Sequence, residues 1–316
     1  MVLYEIYQHP VQQIYRAPLL SKAALFQLAS IVLTIVCPLL VVYRSQGFWL
    51  KTSTYREQPT VHFKHQFLLI FQSGEPEQYY IWSTFPGLNQ LDASRLRVPV
   101  VASRELDNNR DGKPDAFEFR ATLPLEAAES VVSVTALLVF DYRLDLYSRF
   151  VMESMIYLEE AGRTAASKLA VTGDMQLFQR IPLWYRGRDT RFDHPLINGS
   201  SQRVEDVRLA HIRQQYFQRN VSTHLHPKFS VWTPTPSLQA TTVSQGGRRE
   251  FDLAITINFV TETLLYYAGF WELIKWGWVQ YLSVLLAFIF VFNKFRALLF
   301  QNRLLMTIPQ KLRYYG

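Results

Sequence analysis

The chain has 316 residues, 49% of them hydrophobic, and a single cysteine, Cys37. That is long enough to bury a core, and it excludes an intrachain disulfide framework. The formal charge of +7 is concentrated at one end. Five bases and no acid follow Phe292, whereas Arg44 to Lys275 holds 26 bases against 25 acids, which excludes a basic nucleic-acid-binding domain.

Residues 1–22 form a short tail with Arg16 and Lys22 against Glu5. Residues 23–43 follow without a charge. At ~1.5 Å per residue this stretch crosses a hydrocarbon core of ~30 Å. It is too long for a signal-peptide core, and no small-x-small site precedes Arg44, so it is expected to act as a signal anchor. Pro38 is expected to bend it. A second span covers residues 276–295, with Lys275 and Lys294 as its polar stops. Residues 296–316 form a basic tail, either a helix along the inner leaflet or a plain extension of the span. Lys294, Arg296, Arg303, Lys311 and Arg313 put that end in the cytoplasm. Arg44, Lys51, Arg56 and Lys64 after the first span argue the other way, but long segments translocate largely regardless of charge. Two spans then leave both termini cytoplasmic and residues 44–275 extracellular or lumenal.

That middle segment reads as strands: Val61–Gln72, Tyr79–Thr84, Leu96–Ala102, Ala116–Leu123, Ser130–Asp145, Phe150–Leu158, Lys168–Arg180 and Glu250–Thr263. Turn chemistry separates them at Gly74, Pro86-Gly87, Thr172-Gly173-Asp174 and Gly246-Gly247. One helix is expected over Asp206–Arg219 and a surface loop over Pro227–Gly247. The fold class is therefore a membrane hairpin of two transmembrane α-helices carrying a mainly β, sandwich-like outer domain.

Four groups of residues are candidate sites. Asp107, Asn109, Asp111, Lys113 (by its carbonyl), Asp115 and Glu118 fit a calcium loop, with Gly112 allowing the sharp turn that converges the oxygens. Calcium there would be structural. Asn198 and Asn220 head glycosylation sequons. Gln27, Ser30 and Thr34 share one helical face, as do Gly277, Gln280, Ser283 and Ala287, the pattern of helix packing in lipid. These stripes either pair the two spans or dock a partner's helix. Trp49, Trp271 and Trp276 flank the spans as interface anchors, the first two within a repeated Gly-Phe-Trp. Catalytic and nucleotide-binding motifs are not found, and the histidines lack metal-ligand spacing, so an enzyme is not expected.

Long strings carry more information than these motifs. They include LYEIYQHP (Leu3 to Pro10), GFWLKTSTYREQPTV (Gly47 to Val61), WSTFP (Trp82 to Pro86), RLRVPVVASRELDNNRDGKPD (Arg95 to Asp115), INGS (Ile197 to Ser200), RNVST (Arg219 to Thr223) and GFWELIKWGWVQYLSVLL (Gly269 to Leu286). End to end, they resemble the transmembrane protein 231 family. The resemblance implies a two-span protein of the ciliary transition-zone membrane, a subunit of the Meckel-syndrome (MKS, tectonic-like) complex. It further implies membrane and cytosolic subunits of that complex as partners, with the bilayer, and no small-molecule substrate. The implied role is a diffusion barrier supporting ciliogenesis and Hedgehog signalling. The alternative is a two-span ion channel with a large outer domain, against which stand the modest polarity of the spans and the lack of disulfides.

Overall fold

Both apolar stretches fold as long helices in the computed structural model, which describes residues 13–45, 50–75, 78–126, 129–197, 209–235 and 249–311. The chain divides into two units, residues 1–51 with 268–316, and residues 52–267. In the first unit, helix α1 spans Lys22–Arg44. Ser21 caps it, its Oγ accepting the Ala24 N–H at 3.2 Å, which satisfies one of the donors that a helix start leaves open. Helix α4 runs Phe270–Gln301, 32 residues without a break. At ~1.5 Å per residue it is ~48 Å long, more than the hydrocarbon core requires. The basic residues Lys294 and Arg296 thus lie on the same helix. Strand β1 (Gln13–Arg16) pairs antiparallel with β13 (Ile308–Lys311) in the same unit.

The second unit is mainly β. Its strands are β2 (Thr52–Glu57), β3 (Thr60–Gln72), β4 (Tyr79–Ser83), β5 (Val100–Leu106), β6 (Ala116–Leu125), β7 (Val131–Leu144), β8 (Arg149–Gln179), β9 (Arg188–Phe192), β10 (Val221–Pro234), β11 (Arg249–Phe259) and β12 (Glu262–Tyr267). One sheet follows the order β4-β3-β7-β8-β11-β6-β5, with β9 and β10 also on β8. Its hinge is the 31-residue β8. The first half of β8 pairs with β7 (Phe150 with Leu144, Leu158 with Ala136). The second half pairs with β11 in parallel (Lys168 with Asp252) and with β10 antiparallel (Gln179 with Val221). The sheet therefore curls into two facing walls, joined through one strand.

Aromatic side chains fill the space between the walls. Phe63, Phe67 and Phe71 of β3 and Phe140 of β7 are buried on one side, and Phe117, Phe119 and Phe251 on the other. Ring centroids lie 4.6 Å apart for Phe63–Phe117, 5.4 Å for Phe67–Phe119 and 5.7 Å for Phe71–Phe251. Tilted and edge-on pairs of this kind add to the burial energy of the rings. A second cluster covers the outer face of the β3–β7 wall. There Leu68, Leu137, Val139 and Met155 meet Phe85, the N-cap of α2 (Pro86–Leu91), Leu88 of α2, and Ile212 and Tyr216 of α3 (Leu209–Phe217). Because both faces of this wall are covered, Leu137-Leu138-Val139-Phe140 reads as a continuous apolar run.

Several expectations are corrected. Phe150–Leu158 and Lys168–Arg180 belong to one strand, and Thr172-Gly173-Asp174 is strand rather than turn. Gly173 is there because β10 passes close: a Cβ on it would lie 2.6 Å from the His226 carbonyl oxygen. Asp174 is buried beside it. Burial alone would raise its pKa, but Lys228 Nζ at 2.6 Å and Asn258 Nδ2 at 3.1 Å hold it below the ordinary carboxylate value. Pro227 to Pro234 is strand, not loop; Pro227 sits at a register shift on a strand bonded only to β8, where a missing N–H is tolerated. Residues 236–247 of that expected loop lie outside the described residues. The expected strand Glu250–Thr263 is two, β11 and β12, broken at Val260-Thr261.

Strand β12 pairs with β2, from Glu262–Glu57 to Tyr267–Thr52, so the domain's first and last strands leave side by side. The ribbon is pinned by acids. Glu57 Oε1 accepts the N–H groups of Asp145 and Leu146 at 2.8 and 3.0 Å, and Glu262 Oε2 accepts that of Leu177 at 2.7 Å.

Candidate functional site

Along α1 the buried positions are Ala23, Ser30, Thr34, Pro38 and Val42, and Gln27 is half-buried on the same face. Spacings of four and seven keep them in one line, and small side chains let a second helix approach. That helix is α4. Gly277 is its buried residue, Gln280 is half-buried, and Phe26 of α1 lies 6.0 and 6.2 Å from Phe295 and Phe300.

The second stripe is split. Ser283 and Ala287 are exposed and turn away from α1, because steps of three and four drift around a 3.6-residue helix. Ser283 Oγ donates to the Gln280 carbonyl of its own helix at 2.8 Å, and Thr34 Oγ1 to the Ser30 carbonyl at 2.6 Å. The cross-helix hydrogen bond instead comes from Tyr281, whose hydroxyl donates to the Ile35 carbonyl at 3.3 Å. Pro38 has no N–H to offer the helix, so the Thr34 carbonyl, four residues before it and next to Ile35, loses its helical donor. Tyr281 was not among the predicted residues. Its signal was a lone phenol inside an apolar run, which needs a partner in lipid.

Trp271 and Trp276 stand in the first two turns of α4 and are exposed, as is Trp278. Trp49 lies outside the described residues, as does Asn198. Asn220 is exposed at the turn between α3 and β10, and its carbonyl accepts the Arg180 N–H at 2.9 Å. Ser222, the third residue of its sequon, is buried.

The acidic loop joins β5 to β6 and is closed by its own side chains. Asp107 Oδ2 accepts the Gly112 N–H at 2.9 Å, Asn109 Oδ1 that of Asp111 at 3.0 Å, and Asp111 Oδ1 that of Lys113 at 2.8 Å. Asp115 Oδ2 accepts the N–H groups of Asn108 and Asn109, and Oδ1 accepts Gln58 Nε2 at 2.9 Å. The Gln58 bond, with the two loop amides, lowers the Asp115 pKa. Gly112 takes φ +86°, the left-handed turn expected of it. Glu118 is directed elsewhere: it sits opposite Arg104 on β5 and pairs with its guanidinium at 3.0 Å. Among the described residues, no group of three His, Cys, Asp or Glu is arranged to hold a metal ion. Four candidates with side-chain oxygens, Asp107, Asn109, Asp111 and Asp115, together with the Lys113 carbonyl, lie on the loop itself.

Comparison with known proteins matches the chain to the family model "Transmembrane protein 231" over residues 1–309. It is 44% identical to Transmembrane protein 231 of Mus musculus across 98% of this chain and 96% of that protein. The human protein of the same name is also 44% identical, over 98% of this chain and 95% of its own length. That of Gallus gallus is 42% identical over 96% and 93%. With two apolar helices flanking a mainly β domain along the whole matched length, the chain belongs to the transmembrane protein 231 family.

Proposed function

We propose that this protein is a non-enzymatic structural subunit of the ciliary transition-zone membrane, within the MKS (tectonic-like) complex. The observation that carries the reading is the family match over nearly the whole chain, spans and outer domain alike. The architecture suits such a role. Helices α1 and α4 pack together and leave Ser283 and Ala287 on an uncovered face, to which a partner's helix can dock. The outer domain presents an edge strand, β5, and long loops to the ectodomains of other subunits. The basic tail stays in the cytosol beside anionic lipid. Packed, anchored subunits of this kind obstruct lateral diffusion, which supports ciliogenesis and Hedgehog signalling.

Deleting the gene in ciliated cells is expected to let non-ciliary membrane proteins enter the cilium and ciliary ones leak out, read by imaging of tagged markers. Unchanged ciliary membrane composition would overturn the role. Glycosylation of Asn220 belongs to the same reading, since it requires the outer domain to be lumenal during synthesis. Because Ser222 is buried once β10 has paired, that modification would precede folding.

Calcium is a separate proposal for the β5–β6 loop. With Glu118 committed to Arg104, the ligands are Asp107, Asn109, Asp111, Asp115 and the Lys113 carbonyl, fewer than the six to eight oxygens that calcium prefers. Binding is therefore expected in the weak range typical of extracellular modules, about 10⁻⁴–10⁻³ M. The thermal midpoint of the purified protein should rise in millimolar calcium relative to chelator; equal midpoints would remove the metal.

A further inference from the structure

Loop 181–187, between β8 and β9, is held against the end of the β2–β12 ribbon. The Leu183 N–H donates to the Leu265 carbonyl at 2.9 Å, and the Tyr267 N–H to the Leu183 carbonyl at 2.9 Å. Leu183 is buried and fixes the loop, while the residues after it turn outward: Trp184 is 55% exposed and Tyr185 40%. Trp184 lies 5.2 Å from the ring of Tyr267, itself exposed. Beside them the β7–β8 turn presents Leu146, 63% exposed, and Tyr147, 49% exposed. Tyr147 stacks on Tyr266 at 5.6 Å and meets Tyr55 at 5.1 Å. At the ribbon's end Trp184 and Tyr267 thus stand on one face, Tyr147 and Tyr185 pack against Tyr266 on the other, Leu146 precedes Tyr147 in the turn, and all five are exposed.

Only Ala268 and Gly269 separate Tyr267 from the first residue of α4, and three residues of chain reach at most about 11 Å. Helix α4 begins with exposed Phe270 and Trp271, the residues of a membrane–water interface. The patch has the same chemistry, tryptophan, tyrosine and leucine, edged by the exposed bases Arg149, Arg186 and Arg188. Arginines at that level can reach lipid phosphates.

We propose that Leu146, Tyr147, Trp184, Tyr185 and Tyr267 form a membrane foot, by which the outer domain rests in the headgroup layer of the bilayer that its own helices cross. The partner is the lipid surface. Because the tether acts at every protein concentration, the aromatic contacts need not carry binding alone; they fix the domain's tilt on the membrane. The inference requires the two spans but not the ciliary role.

The test uses the full chain with Cys37→Ser, reconstituted in phosphatidylcholine nanodiscs. A nitrobenzoxadiazole label is placed on Trp184→Cys or Leu146→Cys. Trp271→Cys serves as the interface standard, and Val100→Cys, six residues up β5 from Leu106, as the solvent standard. The labels at 184 and 146 should emit to the blue of that at 100, and headgroup-level nitroxide lipid should quench them several-fold more strongly. Two independent positions guard against a local folding defect at either one. Water-like, unquenched emission at both 184 and 146 would overturn the foot and leave the patch as a protein-binding surface.

Discussion

Replacing Glu262 with glutamine is expected to stabilise the β domain by about 3 kcal/mol at pH 8 and to have little effect near pH 4.5. Burial pushes the Glu262 carboxyl from an ordinary 4.5 up to about 7, with the Leu177 N–H bond opposing the shift. At ~1.4 kcal/mol per pH unit, that rise sets the size of the effect. The sign follows from the direction. The folded state favours the neutral acid, so this group's contribution is fully present below pH 4.5 and is lost as pH rises through about 7. Two further observations agree. Among the described residues, Glu262 Oε1 is buried without a partner, and so is Oε2 of Glu57, its register neighbour. Two carboxylates opposite one another on an antiparallel pair repel when both are charged. Buried between the walls, the Tyr142 hydroxyl also lacks a partner and is pushed well above its ordinary pKa by burial, then by Glu262 and Glu57. Glutamine keeps the acceptor for Leu177 and cannot ionise. Chemical denaturation of the wild type and Glu262→Gln in detergent micelles should give curves that converge as pH falls from 8 to 4.5. A constant offset, or none, would show that the side chain is not protonated on folding.

Phe140→Ala should cost about 3–5 kcal/mol, enough to unfold much of a marginally stable domain. Phe140 is fully buried, with its ring 5.2 Å from Phe117, 5.4 Å from Phe63 and 6.2 Å from Phe259. It therefore touches both walls, and truncation leaves a void that the rigid strands cannot close. Phe140→Leu should lose only a fraction of this. Phe178→Ala, at an exposed position, should shift the midpoint little. Equal losses at 140 and 178, read by thermal or urea unfolding, would contradict the two-wall core.

The parts of this fold that were legible in the sequence were those with one buried and one wet face, or two buried faces. Val61–Gln72 and Ser130–Asp145 read as strands because their apolar residues face a core, and both are found almost at those limits. Helix α3 showed through Ile212 and Tyr216. Strand β8 looked like two strands because Glu159 to Ala166 offers few apolar side chains. It stays extended for reasons that are not local: Trp232 packs over Gly162, where a Cβ would lie 2.0 Å from its indole nitrogen, and donates to the Thr164 carbonyl at 2.9 Å. Strand β10 was hidden by two prolines and by its exposed outer half, which removes the alternation that marks a strand. Sites followed the same division. The α1 stripe was readable because helical spacing predicts which residues share a face. Tyr281, the ribbon acids and the aromatic foot were not, because each depends on a neighbour remote in the chain: Ile35, Leu177 and Tyr267.

Strand β8 also imposes an order on biosynthesis. As the nascent chain emerges, the first wall can assemble once Ala166 is available, but its inner phenylalanines wait for β11, which ends at Phe259. The ribbon waits longer, for Tyr267, three residues before α4 begins. The domain cannot close until the last span is itself leaving the ribosome. Throughout that interval an apolar half-sandwich stands open, a natural client for chaperones. Chains cut short anywhere between β8 and β11 should therefore be removed by quality control rather than persist as partial subunits.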